Sequence, residues 1–285
     1  MSDERKERRI GIVGYGRLGQ YLVQRILGEG SLNNLQLAFV WNRQLEKMDG
    51  AVPEHLQLQD LSQFSQRQAD LIVEVAHPSI TRDHGAKFLS SANFMVGSPT
   101  ALADQATEKQ LREASRHSGK SLYIPSGALW GGEDIQKMAD RGTLKALKVT
   151  MTKHPDSFKL EGALVEHKER ARSRRLVLYE GPVRALCPLA PNNVNTMAAA
   201  CMAAHTLGFD GVVGVLIADP GLSDWHLVDI EVTGPTDEQS GDTFTVKTSR
   251  RNPARPGFVT GAETFASFWS SLLVCTGHGG RVYLC

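Results

Sequence analysis

The sequence predicts an α/β chain, with a doubly wound parallel sheet in its first half and a second α+β domain built on a mixed, open sheet. Three observations carry this. The run Gly11-Ile12-Val13-Gly14-Tyr15-Gly16-Arg17-Leu18-Gly19 places G-x-G-x-x-G between an apolar strand and a helix. Short apolar runs then alternate with amphipathic helices. Near residue 140 the pattern changes to strands that alternate polar with apolar, as in a sheet with one covered face.

The elements follow in order. Strand Ile10–Val13 leads into helix Leu18–Leu27, and strand Leu35–Trp41 comes next. A short helix near Leu61–Arg67 precedes the apolar run Leu71–Ala76. Helix Ile80–Ser90 precedes strand Asn93–Gly97, and helix Asp104–Ser118 precedes Ser121–Pro125. In the second half Leu144–Thr152, Leu176–Gly181, Gly211–Ala218, His226–Thr233 and Thr243–Ser249 read as strands. A single clear helix, Thr196–Leu207, lies among them and is closed by Gly208. The last helix, Ala262–Cys275, follows Pro253, Pro256 and Gly257 and is expected to pack back on the first domain. The expected division is 1–135 for a Rossmann dinucleotide-binding domain, joined again by 258–285, and 136–257 for a catalytic and dimerisation domain.

Bulk properties remove several classes. The chain has 285 residues, 41% of them hydrophobic, with a net charge of +1, so no polyanionic partner is implied. The basic stretch Lys168–Arg175 is broken by Glu169 and reads as a solvated loop, not a nucleic-acid site. Met1–Arg9 is charged and carries no apolar leader, and no run approaches the ~18 apolar residues of a membrane span. Cys187, Cys201, Cys275 and Cys285 are scattered, with no C-x-x-C, as expected for reduced thiols in the cytoplasm. No His/Cys pair has metal-ligand spacing, so no metal is expected.

The glycine turn points to a dinucleotide. Gly14 allows the tight turn, Gly16 lets backbone approach a pyrophosphate, and Gly19 lets helix pack on strand. The helix N-terminus, opening at Leu18, offers free N–H groups to phosphate, and Arg17 inside the glycine turn is placed to reach phosphate as well. The second strand ends in Asn42-Arg43, where an acidic residue normally binds the ribose 2′-hydroxyl. Asn42 removes the repulsion of a 2′-phosphate, and Arg43 supplies a planar cation suited to it. NADP is therefore favoured over NAD, the alternative being an ordinary surface arginine. The strand ends Ala76-His77 and Gly97-Ser98 should face the same cofactor. His77 either lines the nicotinamide ribose or starts the helix at Pro78.

Four further stretches make the chain similar to the L-aspartate dehydrogenase family over nearly its full length. Pro125-Ser126-Gly127-Ala128, followed by Gly131-Gly132, resembles the family's Ser-Gly-Ala hinge, with Trp130 inserted. Pro191-Asn192-Asn193-Val194-Asn195 resembles its Asn-rich helix start, and Ile217-Ala218-Asp219-Pro220 its Ala-Asp-Pro loop. Trp225–Ile230 resembles the strand that bears its catalytic histidine, here His226.

The resemblance implies oxidation of L-aspartate by NAD(P)⁺ to iminosuccinate, which water converts to oxaloacetate and ammonia, in a homodimer. It sets Ala128 and Asn193 against the nicotinamide. Asn195 is divided between helix capping and ligand contact, and Asp219 between orienting a water and capping its turn. His226, with an ordinary pKa near 6.5, is expected to exchange protons close to neutrality. Lys153 precedes His154 where the family has a Lys-Pro-Pro loop, and either holds a substrate carboxylate or stays in solvent. The departures at His154 and Trp130 keep open a second reading, a non-catalytic NADP(H)-binding sensor or partner-binding protein on the same fold.

Overall fold

The computed structural model describes residues 7–285; Met1–Lys6, part of the charged lead-in, lie outside the described residues. Strand β1 (Arg8–Val13) runs into helix α1 (Arg17–Glu29), then β2 (Leu35–Trp41) and, through 3-10 turns, β3 (Leu71–Glu74). Next come α2 (Pro78–Leu89), β4 (Asn93–Val96), α3 (Gln105–Ser118), β5 (Leu122–Ile124) and α4 (Gly132–Asp140). They are followed by β6 (Ala146–Lys153), α5 (Leu164–Arg170), β7 (Leu176–Pro182), the short α6 (Val183–Leu186) and α7 (Asn195–Ala203). The remaining elements are α8 (Gly208–Gly211), β8 (Val213–Ala218), β9 (Trp225–Thr236), β10 (Thr243–Pro253), α9 (Ala262–Val274) and β11 (Val282–Leu284).

Two sheets result. The first is six-stranded and parallel, in the order β11-β5-β4-β3-β1-β2. Its central strands are buried on both faces, which is why Ile10–Val13 and Leu71–Glu74 are continuous rather than alternating runs. The direction of winding reverses between β1 and β3, and ligands of such sheets collect at the strand C-termini there. The second sheet runs β10-β9-β6-β8-β7, with β6 and β8 parallel and its other pairs antiparallel. Along β9 every second residue from His226 to Gly234 is buried, and those residues line one face.

The last helix does return to the first sheet. Phe268, Trp269 and Leu272 of α9 join Leu22, Val23 and Ile26 of α1 in one buried cluster. Each such side chain contributes roughly 1.5–3 kcal/mol on burial. Arg8, on β1, donates to the Leu273 and Cys275 carbonyls (3.0 and 2.7 Å) and so closes the open end of α9.

Several expectations are corrected. The Lys168–Arg175 stretch is not all loop: Lys168–Arg170 form the last turn of α5, which is held down by buried Leu164 and Ala171. Helix α7 ends at Ala203, four residues early, because Ala204 leaves helical backbone (ψ 51°); Gly208, with φ +59°, stands at the start of α8. Helix α4 crosses the expected boundary between residues 135 and 136. Strand β11 had no sequence signal, being three residues long, yet it adds a sixth strand beside β5. Among the described residues, no helix is long and apolar enough to cross a membrane.

Candidate active site at the cleft between the two sheets

The glycine turn divides its labour. Gly14 sits at φ +114°, and a Cβ there would lie 2.8 Å from the Ala76 backbone. A Cβ on Gly19 would collide with the Gly14 carbonyl. Both glycines are required by the protein's own packing. Gly16 differs, since nothing lies within 4 Å of where its Cβ would stand. Gly16 also starts α1 without a side-chain cap, leaving the first N–H groups open to an anion.

A groove of about 490 Å³ continues from this turn, lined by Gly14, Gly16, Asn42, Arg43, Lys47, Ala76 and His77 among others. Asn42 is a structural tie: its Oδ1 accepts from Tyr15 N–H (3.1 Å) and its Nδ2 donates to the Gln44 carbonyl (2.8 Å). Arg43 is exposed at the groove wall, with Lys47, which sequence reading missed, as a second cation. His77 lines this groove and also starts its helix. Its Nδ1 accepts from Ser79 N–H at 3.2 Å and so caps α2. Arg17 faces the adjoining pocket, with its guanidinium stacked on Phe258 at 4.1 Å.

Beneath these loops lies Glu74, the fully buried last residue of β3, which was not singled out from the sequence. Its Oε1 accepts from Ala76 N–H (2.7 Å), His77 N–H (2.8 Å) and the Ser98 hydroxyl (3.1 Å). Its Oε2 accepts from Ser98 N–H (3.0 Å) and the Thr81 hydroxyl (3.1 Å). One carboxylate thus fixes both cofactor-facing strand ends. Burial raises its pKa to about 7, against the lowering effect of these donors. Ser98 is committed to Glu74, and Gly97 is glycine because a Cβ would strike the Glu74 carbonyl. The signal in the sequence was a charge closing an otherwise apolar strand.

The chemistry-bearing residues meet in a partly open cavity of about 100 Å³, room for roughly three waters. Leu18 of α1 and Gly97 after β4 reach it from the first domain, Ser126–Ala128 from the hinge, and Lys153, Asn193, Asn195 and His226 from the second domain. The register explains the convergence. Thr152 pairs with Leu227, so one residue further Lys153 lies beside His226, and His226 pairs with Asn252. Three buried polar side chains therefore stand in one row across β6, β9 and β10.

Lys153, expected either to hold a substrate carboxylate or to stay in solvent, is only 3% exposed. Its Nζ donates to the Val259 carbonyl (3.0 Å) and reaches the Asn193 carbonyl (3.5 Å). Burial lowers its pKa to about 7. His226 has its Nε2 buried with no partner among the described residues. Burial, and then the charge of Lys153, lower its pKa to about 3, with the Phe258 backbone acting the other way. The expectation of proton exchange near neutrality is thus corrected: His226 is a neutral imidazole.

The asparagines exchange their expected roles. Asn193 braces the next loop, its Oδ1 accepting from Lys159 N–H (2.9 Å) and its Nδ2 donating to the Ser157 carbonyl (3.2 Å). Its amide is therefore engaged by protein, not presented whole to a nicotinamide. Asn195 does not cap α7, whose N-cap is Val194; its Oδ1 is buried, without a partner among the described residues, on the cavity wall. Asp219 is corrected outright as a substrate residue. It accepts from Gly221 N–H (2.9 Å), lies 3.7 Å from Arg175, and does not line the cavity. Asn252 was missed; it ties β10 to α9 through Thr264 (3.1 Å) and Glu263 N–H (3.2 Å). Its signal exists only in strand pairing.

Residues 134–271 match the family described as aspartate dehydrogenase, C-terminal. Residues 14–125 match the homoserine dehydrogenase NAD-binding domain. The chain is 70% identical over all 285 residues to the aspartate dehydrogenase domain-containing protein of Xenopus tropicalis, with the whole of both chains covered. The chain belongs to the aspartate dehydrogenase family. It is 28% identical to the L-aspartate dehydrogenase of Methanocaldococcus jannaschii over 74% of this chain and 78% of that one. The aspartate dehydrogenase structure from Thermotoga maritima superposes with a TM-score of 0.66 at 20% identity, covering 93% of this chain and 95% of that one, which shows the shared fold. Fold and family together indicate an NAD(P)-dependent dehydrogenase type, a family that binds small-molecule substrates.

Proposed function

We propose that this protein oxidises L-aspartate with NADP⁺, with NAD⁺ as the weaker alternative, to yield oxaloacetate and ammonia in the cytosol. The observation that carries this reading is the cavity lining. Lys153 and His226 are its titratable groups, Asn195 offers an unpartnered amide oxygen, and no carboxylate is present among the described residues. A dicarboxylate suits such a lining, because each acidic neighbour would otherwise cost it binding energy.

The residues present fit a dinucleotide. Open space at Gly16 and the uncapped start of α1 suit a pyrophosphate, and Arg43 with Lys47 suits a 2′-phosphate. The cofactor, when bound, supplies hydride acceptance. The chain's own part is to hold the amino acid beside Ala128, to exclude bulk water, and to orient an attacking water. Neutral His226 is suited to that last task through Nε2. A second copy of this chain, covering the exposed Trp130, Phe244 and Val246, completes the reading as a homodimer.

The test is purified protein with L-aspartate and either nicotinamide, followed at the reduced-cofactor absorbance, with the reverse reaction from oxaloacetate and ammonia alongside. Turnover in neither direction overturns the enzymatic reading. Cofactor binding without turnover would then favour a nucleotide-binding sensor, a reading supported by His154. That residue replaces a family proline and turns its Nδ1 onto Asp156 N–H at 3.2 Å.

A further inference from the structure

Lys153 has a setting that neither carboxylate binding nor structural support explains. It is a buried amine with no acidic partner among the described residues. A lysine that anchors a substrate carboxylate need not be desolvated, and a structural lysine buried to 3% exposure ordinarily keeps a counter-ion. Instead Nζ meets two backbone carbonyls, Val259 at 3.0 Å and Asn193 at 3.5 Å. An ammonium has three N–H groups to satisfy, whereas a neutral amine has two N–H groups and one lone pair. Two acceptors match the neutral amine, and the lone pair is left for the cavity that Lys153 lines.

We infer that Lys153 is the proton acceptor for the α-ammonium of the amino-acid substrate, making it a catalytic residue distinct from His226. The inference rests on the amino-acid dehydrogenase reading above. The step is a proton transfer with no change of oxidation state. The substrate N–H bond breaks and an Nζ–H bond forms. The substrate is left as the neutral amine, whose lone pair permits loss of hydride from Cα, and Lys153 becomes an ammonium beside the substrate carboxylates. His226 is unsuited to this step, because burial and the neighbouring Lys153 hold its pKa near 3.

The groups facing Lys153 agree with this role. β9 contributes His226, β10 contributes neutral Asn252, and the 253–261 segment contributes only the Val259 carbonyl and apolar surface. The loop after β6 contributes the Phe158 ring, 5.7 Å from Nζ, and Lys159 lines the adjoining pocket. Burial brings Lys153 down to about 7, where it can both take and release a proton near neutral pH.

Three measurements on the full-length protein test this. First, Lys153 is titrated by NMR of lysine-labelled protein, assigned with Lys153→Arg. A titration close to neutrality is expected, and one in the ordinary lysine range near 10.4 overturns the proposal, whether or not the wild type turns over aspartate. Second, Lys153→Arg keeps a cation but cannot accept a proton; turnover should fall about 10²–10⁴-fold with cofactor binding intact. A variant with near-normal kcat and a raised KM shows a carboxylate anchor instead, and overturns it. Third, Lys153→Cys treated with 2-bromoethylamine restores an amine of lower basicity. Recovered activity with the acid limb of kcat/KM moved to lower pH supports the proposal, because the substrate's own titration cannot move. Recovery with an unmoved limb overturns it.

Discussion

Glu74 takes both hydrogen bonds that Ser98 can give, from its N–H at 3.0 Å and from its hydroxyl at 3.1 Å. The end of β4 is thereby fastened to the end of β3, and the same carboxylate holds Ala76 and His77. The cofactor-facing rim of the first sheet is organised by a group that no ligand need touch.

Replacing that acceptor should be costly. Glu74→Gln keeps the volume but turns an N–H₂ toward donors, leaving buried groups unsatisfied at about 1–3 kcal/mol each. The pH dependence is informative as well. Because the folded-state pKa is raised to about 7, the contribution of Glu74 is full below about pH 4.5 and is lost as pH rises toward 7. The stability of wild type relative to Glu74→Gln, measured by urea unfolding, should therefore decline across that window. A flat difference would mean that Glu74 titrates normally.

Gly14 and Gly16 should separate by assay. Gly14→Ala forces a side chain into left-handed backbone and against Ala76, so melting temperature should drop with a cost above the ~1–2 kcal/mol of the conformation alone. Gly16→Ala meets nothing in the protein and should shift stability by less than about 0.5 kcal/mol. Its effect should instead appear as weaker dinucleotide binding in calorimetry. Equal melting temperatures for the two variants would contradict this division.

Arg43→Ala should weaken NADP on the order of tenfold or more, the worth of one charged hydrogen bond, and weaken NAD much less. Lys47→Ala should act in the same sense. Fluorescence titration with both reduced cofactors measures it, and an equal loss for the two would remove Arg43 from 2′-phosphate recognition.

His226→Asn should abolish turnover while cofactor affinity stays within a few-fold. It should also alter acid stability. A histidine whose pKa falls from 6.5 to about 3 on folding contributes fully above pH 6.5, and that contribution is lost as pH falls toward 3. Thermal unfolding of wild type should therefore be more acid-sensitive than that of His226→Asn between those limits. Matching pH profiles would show that His226 is not desolvated.

Phe244→Glu, on the exposed face shared with Trp130, should convert a dimer to monomer in sedimentation velocity without lowering the melting temperature of the monomer. A wild type already monomeric at micromolar concentration removes the dimer from the proposed function.

What was legible in the sequence was local. The strand–turn–helix around Gly14, the parallel half and the long strands all announce themselves through periodicity and glycine spacing. Lys153, Asn195 and His226 were recognisable as candidates by motif, and they do converge. The sequence could not tell Asn193 from Asn195, because which amide is left free depends on the 157–159 loop folding back onto Asn193. Nor could it show the lowered pKa of His226, which follows first from burial and then from a neighbour seventy-three positions earlier on another strand. Asn252 was silent for the same reason, and Glu74 showed only as a charge at the end of an apolar strand: their partners are assembled by the fold, not by the chain.

Strand β11 carries one more consequence. Val282–Leu284 complete a sheet whose other strands are all made before residue 125. A contact spanning that much chain closes late and slowly, since the entropy of the intervening loop must be overcome first. During synthesis the nucleotide-binding half therefore emerges with a bare edge along β5, and it waits for the entire second domain to leave the ribosome before that edge is covered. A chaperone, or the rapid folding of the intervening domain, has to guard it in the meantime.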